Sequence, residues 1–154
     1  MEKTNVMRLL EANKTEYTPY EYDAELTDGE QVAVAVGKDP DTVFKTLVTI
    51  GSNKQYYVFV IPVNCTLSLK KAAKAVDVKS IEMIKQKELL PLTGYLHGGC
   101  SPLGMKKAFE TVLNDTACLF DTMTCSAGKK GVQVQLAPQN LLQMAKGKYD
   151  DVIE

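Results

Sequence analysis

The sequence predicts a mixed α/β domain, α+β-like in its organisation, with strands from hairpins interleaved with helices. Three observations lead there. The elements do not alternate strand and helix, so a mixed sheet curled on itself is expected rather than a doubly wound parallel one. Residues 43–50 are rich in β-branched side chains, and after Gly51-Ser52-Asn53-Lys54 a second strand returns over residues 56–61, giving a core hairpin. No G-x-G-x-x-G opens a helix and no Walker A motif occurs, so no nucleotide cofactor is expected.

The elements follow in order. Val6, Met7, Leu9 and Leu10 share one face of an opening helix over residues 3–13. Residues 16–22 alternate aromatic and polar, and Pro19 places them on a sheet edge or at a strand's start. Tyr17, Tyr20 and Tyr22 there are either packing residues or rings lining a pocket. A short helix over 30–36 stops at Gly37. Asp39-Pro40 is a helix start, with Asp39 and Asp41 read as caps rather than a catalytic carboxylate pair.

Beyond Pro62 lies an amphipathic helix over 67–76 carrying Lys70, Lys71 and Lys74, a solvated face or one able to touch a polyanion. A brief strand is expected within 78–83, then a single turn over 86–90 ending before Pro91. Residues 111–113 read as strand, as do 119–124 and 131–136, the last two joined by a small-residue loop over 125–130. Pro138 opens a final helix ending at Gly147, and residues 149–153 add a last strand.

At 154 residues, with 45% hydrophobic and 24% charged side chains, the chain is expected to form one domain spanning 1–154. A net charge of −1 supplies no global field for nucleic acid, which argues against a sequence-independent duplex binder but leaves room for a local basic patch. With Arg8 the single arginine, phosphate would be met by lysine or backbone N–H. The four cysteines, Cys65, Cys100, Cys118 and Cys125, form no C-x-x-C, and with only His97 there is no metal-site spacing. No secretory leader or membrane-length apolar run is present, so a cytoplasmic protein with reduced thiols and no membrane partner is expected.

Residues 94–107 attract the functional reading. Gly98-Gly99 lets the backbone take positive φ and lets a ligand approach bare amides, while Pro102 shapes the loop and restricts Ser101. Two lysines, Lys106 and Lys107, follow. A Cys100–His97 nucleophile pair is disfavoured, because a glycine turn separates the two and no acid orients the histidine. Ser101 and Ser126 have no partner base and read as hydrogen-bonding groups. Lys45, inside the strongest strand, either snorkels to the surface or projects into a cleft. Glycine loops with free amides, nearby lysines and no strong nucleophile suit gripping and polarising an anionic or ester substrate.

These residues resemble the YbaK/EbsC family of Cys-tRNA(Pro) deacylases, related to the editing domain of bacterial prolyl-tRNA synthetases. The matching segments are Val43-Phe44-Lys45-Thr46-Leu47-Val48, Leu69-Lys70-Lys71-Ala72-Ala73-Lys74, residues 93–107, and Ser126-Ala127-Gly128-Lys129-Lys130-Gly131. They stand in the family's order over nearly the whole chain. The resemblance implies a pseudo-barrel of mixed strands surrounded by helices, and removal of a misattached amino acid from the 3′ end of tRNA. It implies that Lys45 holds the terminal adenosine's phosphate and that Gly98 and Gly99, in a G-x-x-x-P loop with Cys100, Ser101 and Pro102, position the ester carbonyl. Phe44 and Thr46 flank the lysine, Tyr20 matches a tyrosine at the pocket rim, and Ser126 and Gly128 match the second loop.

In the family's chemistry the substrate thiol attacks its own ester, and the protein supplies positioning without cofactor or metal. Water attack on Ala-tRNA(Pro) and a non-catalytic tRNA- or synthetase-binding module are the alternatives, with prolyl-tRNA synthetase an expected partner. Three positions depart from the family pattern: Cys100 for an aliphatic residue, Ala127 for glycine and Lys130 for arginine.

Overall fold

The β-branched run forms strand β2 (Phe44–Gly51), which turns and returns as β3 (Tyr56–Pro62) in register from Phe44 opposite Pro62 to Ile50 opposite Tyr56. The turn is held by Asn53, whose amide donates to the Tyr57 hydroxyl and whose carbonyl accepts from Gln55 N–H. In the computed structural model, which describes residues 1–154, β3 is central in a five-stranded sheet. β5 (Glu110–Asn114) lies parallel to it, β8 (Lys148–Asp150) is parallel to β5, and β4 (Ile81–Met83) is antiparallel to the far edge of β2.

The uninterrupted apolar run of β3 follows from this central place, since a strand covered on both faces has no solvent side to alternate toward. Val58 and Val60 join a core with Val6, Met7 and Leu10 of helix α1 (Asn5–Ala12). Phe59 and Ile61 join a second core, on the other face, with Ala72 and Ala73. Those alanines belong to helix α3 (Leu69–Ala75), capped by the Ser68 hydroxyl. Its lysine face is partly docked: Lys71 pairs with Asp151 at 3.0 Å and donates to the Ile153 carbonyl.

A second, antiparallel sheet places β1 (Thr18–Glu21) beside β7 (Val132–Leu136), and β7 beside β6 (Met123–Lys129). It meets the larger sheet at a lone bridge between Val43 and Thr124. The curled mixed sheet thus takes the form of two sheets folded over a shared core rather than one closed cylinder. Two further helices, α2 (Gly29–Ala35) and α5 (Pro138–Ala145), begin and end close to expectation, and Asp39 does cap the single 3-10 turn after it.

Four expectations are corrected. The turn before Pro91 is the start of an eight-residue helix, α4 (Gln86–Thr93), that runs through the proline. The Lys87 carbonyl that loses its donor there belongs to an exposed residue, where water can serve it. Residues 119–122 are not strand: a 3-10 turn occupies Asp115–Leu119 and β6 starts only at Met123. The small-residue "loop" over 125–130 is mostly β6 itself. Cys125, Ser126 and Ala127 are buried; the small size of Cys125 and Ala127 reflects close packing of α1 against the strand rather than a turn, while Ser126 faces the other way. A register shift between Ser126 and Lys129 marks a bulge at Gly128, φ 92°, where an added Cβ would lie 3.0 Å from Tyr95 and 3.2 Å from Val6. Finally, α5 ends with Lys146 in the left-handed region, and Gly147 is small because a Cβ there would come within 2.8 Å of the Thr111 carbonyl.

Phe59→Ala, which empties the centre of the second core, is expected to cost about 3–5 kcal/mol of stability, read as a lower urea midpoint with little change in m-value. A loss below about 1 kcal/mol would contradict this packing.

Candidate functional site

β4 pairs with β2 only at Thr49, Ile50 and Gly51, so the outer edge of β2 over residues 44–47 has no strand partner. A cavity of about 180 Å³ opens along that edge. Phe44, Lys45, Thr46 and Leu47 of β2 line it, with Ser126 of β6, Gln133 of β7, and His97, Gly98 and Cys100 of the glycine loop. Gly29 and Val32 of α2, with Tyr22, Leu26 and Thr27 before it, complete the lining.

Strand pairing explains the polar wall. Gln133 stands opposite Ser126 on β6 and opposite Tyr20 on β1, so the three residues form one rung across the smaller sheet. Gln133 is buried, and its Oε1 has no hydrogen-bond partner; the Thr46 hydroxyl of β2, also on the lining, has none either. Buried polar atoms are nearly always paired, so two orphans lining one cavity leave hydrogen bonds there for a ligand or water to complete.

Lys45 is half-buried and makes no ion pair. The ion pairs of the molecule are Lys3–Glu11 at 2.6 Å and Lys71–Asp151 at 3.0 Å, both on other surfaces. Of the two readings of an in-strand lysine, the structure places this one on the cavity wall.

The glycine loop leaves α4 at Gly94 in the left-handed conformation and is fastened to itself. The Tyr95 hydroxyl donates to the Leu103 carbonyl, and Leu103 N–H donates to the Ser101 hydroxyl at 3.2 Å. Gly98 takes φ 88°, while the N–H of Gly99 is committed to the Leu96 carbonyl at 3.0 Å. Gly99 therefore has no amide to offer a substrate. It is a glycine because the β6–β7 turn presses on it, with Lys130 N 3.1 Å from where a Cβ would stand. The loop amides without a protein partner include those of Gly98 and Cys100, both on the cavity wall.

The other expected site residues divide. Phe44, Thr46, Cys100 and Ser126 line the cavity with Lys45 and Gly98. Ser101 and Pro102 are buried behind the loop, and Gly128 packs against Tyr95 with its N–H on the Ser126 hydroxyl at 3.1 Å. Tyr20 lies next to the lining rather than in it: its hydroxyl donates to Gln135 at 2.9 Å, and Lys38 sits 4.7 Å over its ring. Of the other two tyrosines, Tyr22 lines the cavity and Tyr17 packs on the core, donating to Glu11 at 2.6 Å.

Sequence reasoning named Tyr22 as either a packing or a pocket-lining ring, did not single out Gln133 or the α2 residues, and set His97 aside. Alternation along Val132-Gln133-Val134-Gln135 puts both glutamines on one face, yet nothing in the pattern says that this face borders a cavity.

Burial pushes the Cys100 thiol up to about 12, only partly opposed by the Thr93 hydroxyl, and burial alone takes Cys125 to about 12. Neither is a thiolate near neutral pH, and so Cys100 is no nucleophile despite its place on the wall.

Comparisons with known proteins bear on this cavity. Residues 23–144 match the model of a family described as an aminoacyl-tRNA editing domain. A protein of Enterococcus faecalis (strain ATCC 700802 / V583) is 42% identical over 153 residues, covering 98% of this chain and 93% of its own. It carries the provisional name Cys-tRNA(Pro)/Cys-tRNA(Cys) deacylase EbsC. Among solved structures, one described as a provisional trans-editing enzyme for prolyl-tRNA synthetase superposes with TM-score 0.86 at 22% identity, covering 100% of this chain and 99% of the other. A protein of unassigned function, APE2540, superposes with TM-score 0.90 at 18% identity over 98% and 100% of the two chains. At those identities the two structures speak for the fold.

The thiol environments predict an order of reactivity. With iodoacetamide at pH 8, exposed Cys118 is expected to alkylate first, with Cys100 and Cys125 lagging at least tenfold by peptide mass spectrometry. Because burial raises their values, Cys100 and Cys125 should gain on Cys118 as pH rises toward 11. Fast labelling of Cys100 at pH 8 would contradict its placement.

Proposed function

The chain belongs to the aminoacyl-tRNA editing domain family, and from that premise we propose that it removes cysteine misattached to tRNA(Pro), acting in trans as a deacylase over one editing unit of residues 1–154. The observation that carries the chemistry is the makeup of the cavity. An unpaired lysine, two unpaired loop amides and two orphan acceptors converge on a space whose thiol is held protonated.

In this reading Lys45 holds the phosphate of the terminal adenosine, a point charge meeting a point charge where no arginine is present. The orphan oxygens of Thr46 and Gln133 accept from the substrate's α-ammonium group. The ester carbonyl lies against the amides of Gly98 and Cys100. The substrate's own sulfur attacks that carbonyl: an S–C bond forms, the C–O bond to the ribose breaks, and the thiol proton ends on the ribose oxygen. The products are a cyclic thiolactone and tRNA with a free 3′ end. The amides stabilise the oxyanion of the tetrahedral intermediate, and holding thiol and ester together supplies the rest.

The net charge of −1 gives little general attraction for tRNA, so we assign delivery to a complex with prolyl-tRNA synthetase in the cytoplasm. No helix is long and apolar enough to cross a membrane.

Lys45→Ala is expected to lower kcat/KM on Cys-tRNA(Pro) by about 10- to 150-fold, equivalent to the ~1.5–3 kcal/mol of a charge-assisted hydrogen bond. Serine esterified to the same tRNA, close in size but lacking the thiol, should be released far more slowly than cysteine. Serine release as fast as cysteine release would sink the cyclisation step. Failure of the unaltered protein on both Cys-tRNA(Pro) and Ala-tRNA(Pro) would sink the deacylase, leaving a binding module.

A further inference from the structure

Acidic residues are absent from two long stretches of the chain. After Glu88 none occurs until Glu110, and after Asp121 none occurs until Asp150, although Asp and Glu total 19. The first stretch contains the whole glycine loop with His97, Lys106 and Lys107; the second contains the β6–β7 turn with Lys129 and Lys130. The fold presses these two stretches together, since the turn backbone lies against Gly99.

Two of the lysines are laid along the loop. The Lys130 stem covers Gly98, with its Cε 3.4 Å from where a Cβ would stand, and the Lys106 stem covers Gly94 with its Cγ at 3.3 Å. Glycine leaves room for those stems to lie flat on the backbone while their ammonium groups reach water. Neither lysine belongs to an ion pair, and Lys107 and Lys129 have none either. The result is a strip of lysines free of ion pairs on a protein of net charge −1, running from the cavity wall at Gly98 back along the loop, with Asp23 the acid on the segment packed against the turn at Gly131.

We propose that Lys130 and Lys106, supported by Lys129 and Lys107, form the track that holds the phosphodiester backbone of an RNA whose 3′ end enters the cavity. The proposal rests on the deacylase reading for the identity of that RNA. Phosphates follow one another along a strand, and a strip of cations leading away from a cavity meets them in sequence. A lysine meets each phosphate as a point charge, without the fixed two-pronged geometry that an arginine would impose. Lys45 inside the cavity takes the last phosphate, and the strip outside takes those before it.

The test is binding of a fluorescently labelled acceptor-stem hairpin, followed by anisotropy over a range of KCl. Each phosphate contact removed should lower the slope of log K against log[KCl] by about 0.7–0.9. Lys130→Gln and Lys106→Gln are each expected to lose about that much, the double variant about twice as much, and Lys130→Arg almost none. Lys54→Gln, at the opposite end of β2, should leave the slope unchanged. A double variant with the original slope overturns the track, as does an equal loss from Lys54→Gln, which would mean diffuse attraction. Deacylation measured on the same preparation separates the two readings. Normal release of cysteine with an unchanged slope condemns the track alone, whereas the expected slopes without any release condemn the deacylase and leave the track standing.

Discussion

β3 carries apolar side chains to both faces of its sheet, Val58 and Val60 to one and Phe59 and Ile61 to the other, so the chain must cover both. One face is met by α1 and the smaller sheet, the other by α3 and the C-terminal segment. With its centre fixed this way, the larger sheet has β2 on one side of β3, and β4 reaches only the last three residues of β2. The cavity is the stretch of strand edge that this arrangement leaves uncovered. Its position follows from burying the hairpin, before any requirement of chemistry is considered.

In the proposed reading the site works by placement rather than by reactivity. Its lining offers a cation, amides and carbonyl or hydroxyl oxygens, while the cysteine on its wall is kept protonated by its surroundings. Such a site is selective for a substrate that carries its own nucleophile. It is also safe for the general pool of esters in a cell, because a correctly charged amino acid without a suitably placed thiol brings nothing to attack with. Orphan acceptors on the lining would strengthen that selectivity, since a ligand that cannot donate to them leaves two buried oxygens unpaired.

Much of the fold was legible in the sequence because hydrophobic pattern and capping agree there. The β2–β3 hairpin, α1, α3 and α5 all announce themselves through branched side chains, helical spacing or a proline at the first turn. What was not legible depended on neighbours distant in sequence. Cys125, Ser126 and Ala127 look like a loop by composition, and only the approach of α1 to Cys125 and Ala127 shows why a strand there is small. Gly98 and Gly99 look equivalent, yet one takes part in the cavity wall and the other is spent on a turn. Gln133 looks like a solvent-facing strand residue until the second sheet folds over the first. Lys45 could be placed in the sequence but not aimed, because aim depends on where β4 stops.

The Tyr95–Leu103 hydrogen bond makes the glycine loop a small closed ring, with the tyrosine ring seated in the notch left by Gly128. A glycine-rich segment left open would sample many conformations and would have to be ordered each time a substrate arrived. Closing the ring moves that loss of entropy to the moment of folding, so the free and occupied loops should differ little in shape. Turnover then need not wait on a gate, and the loop side of the cavity stands ready between encounters.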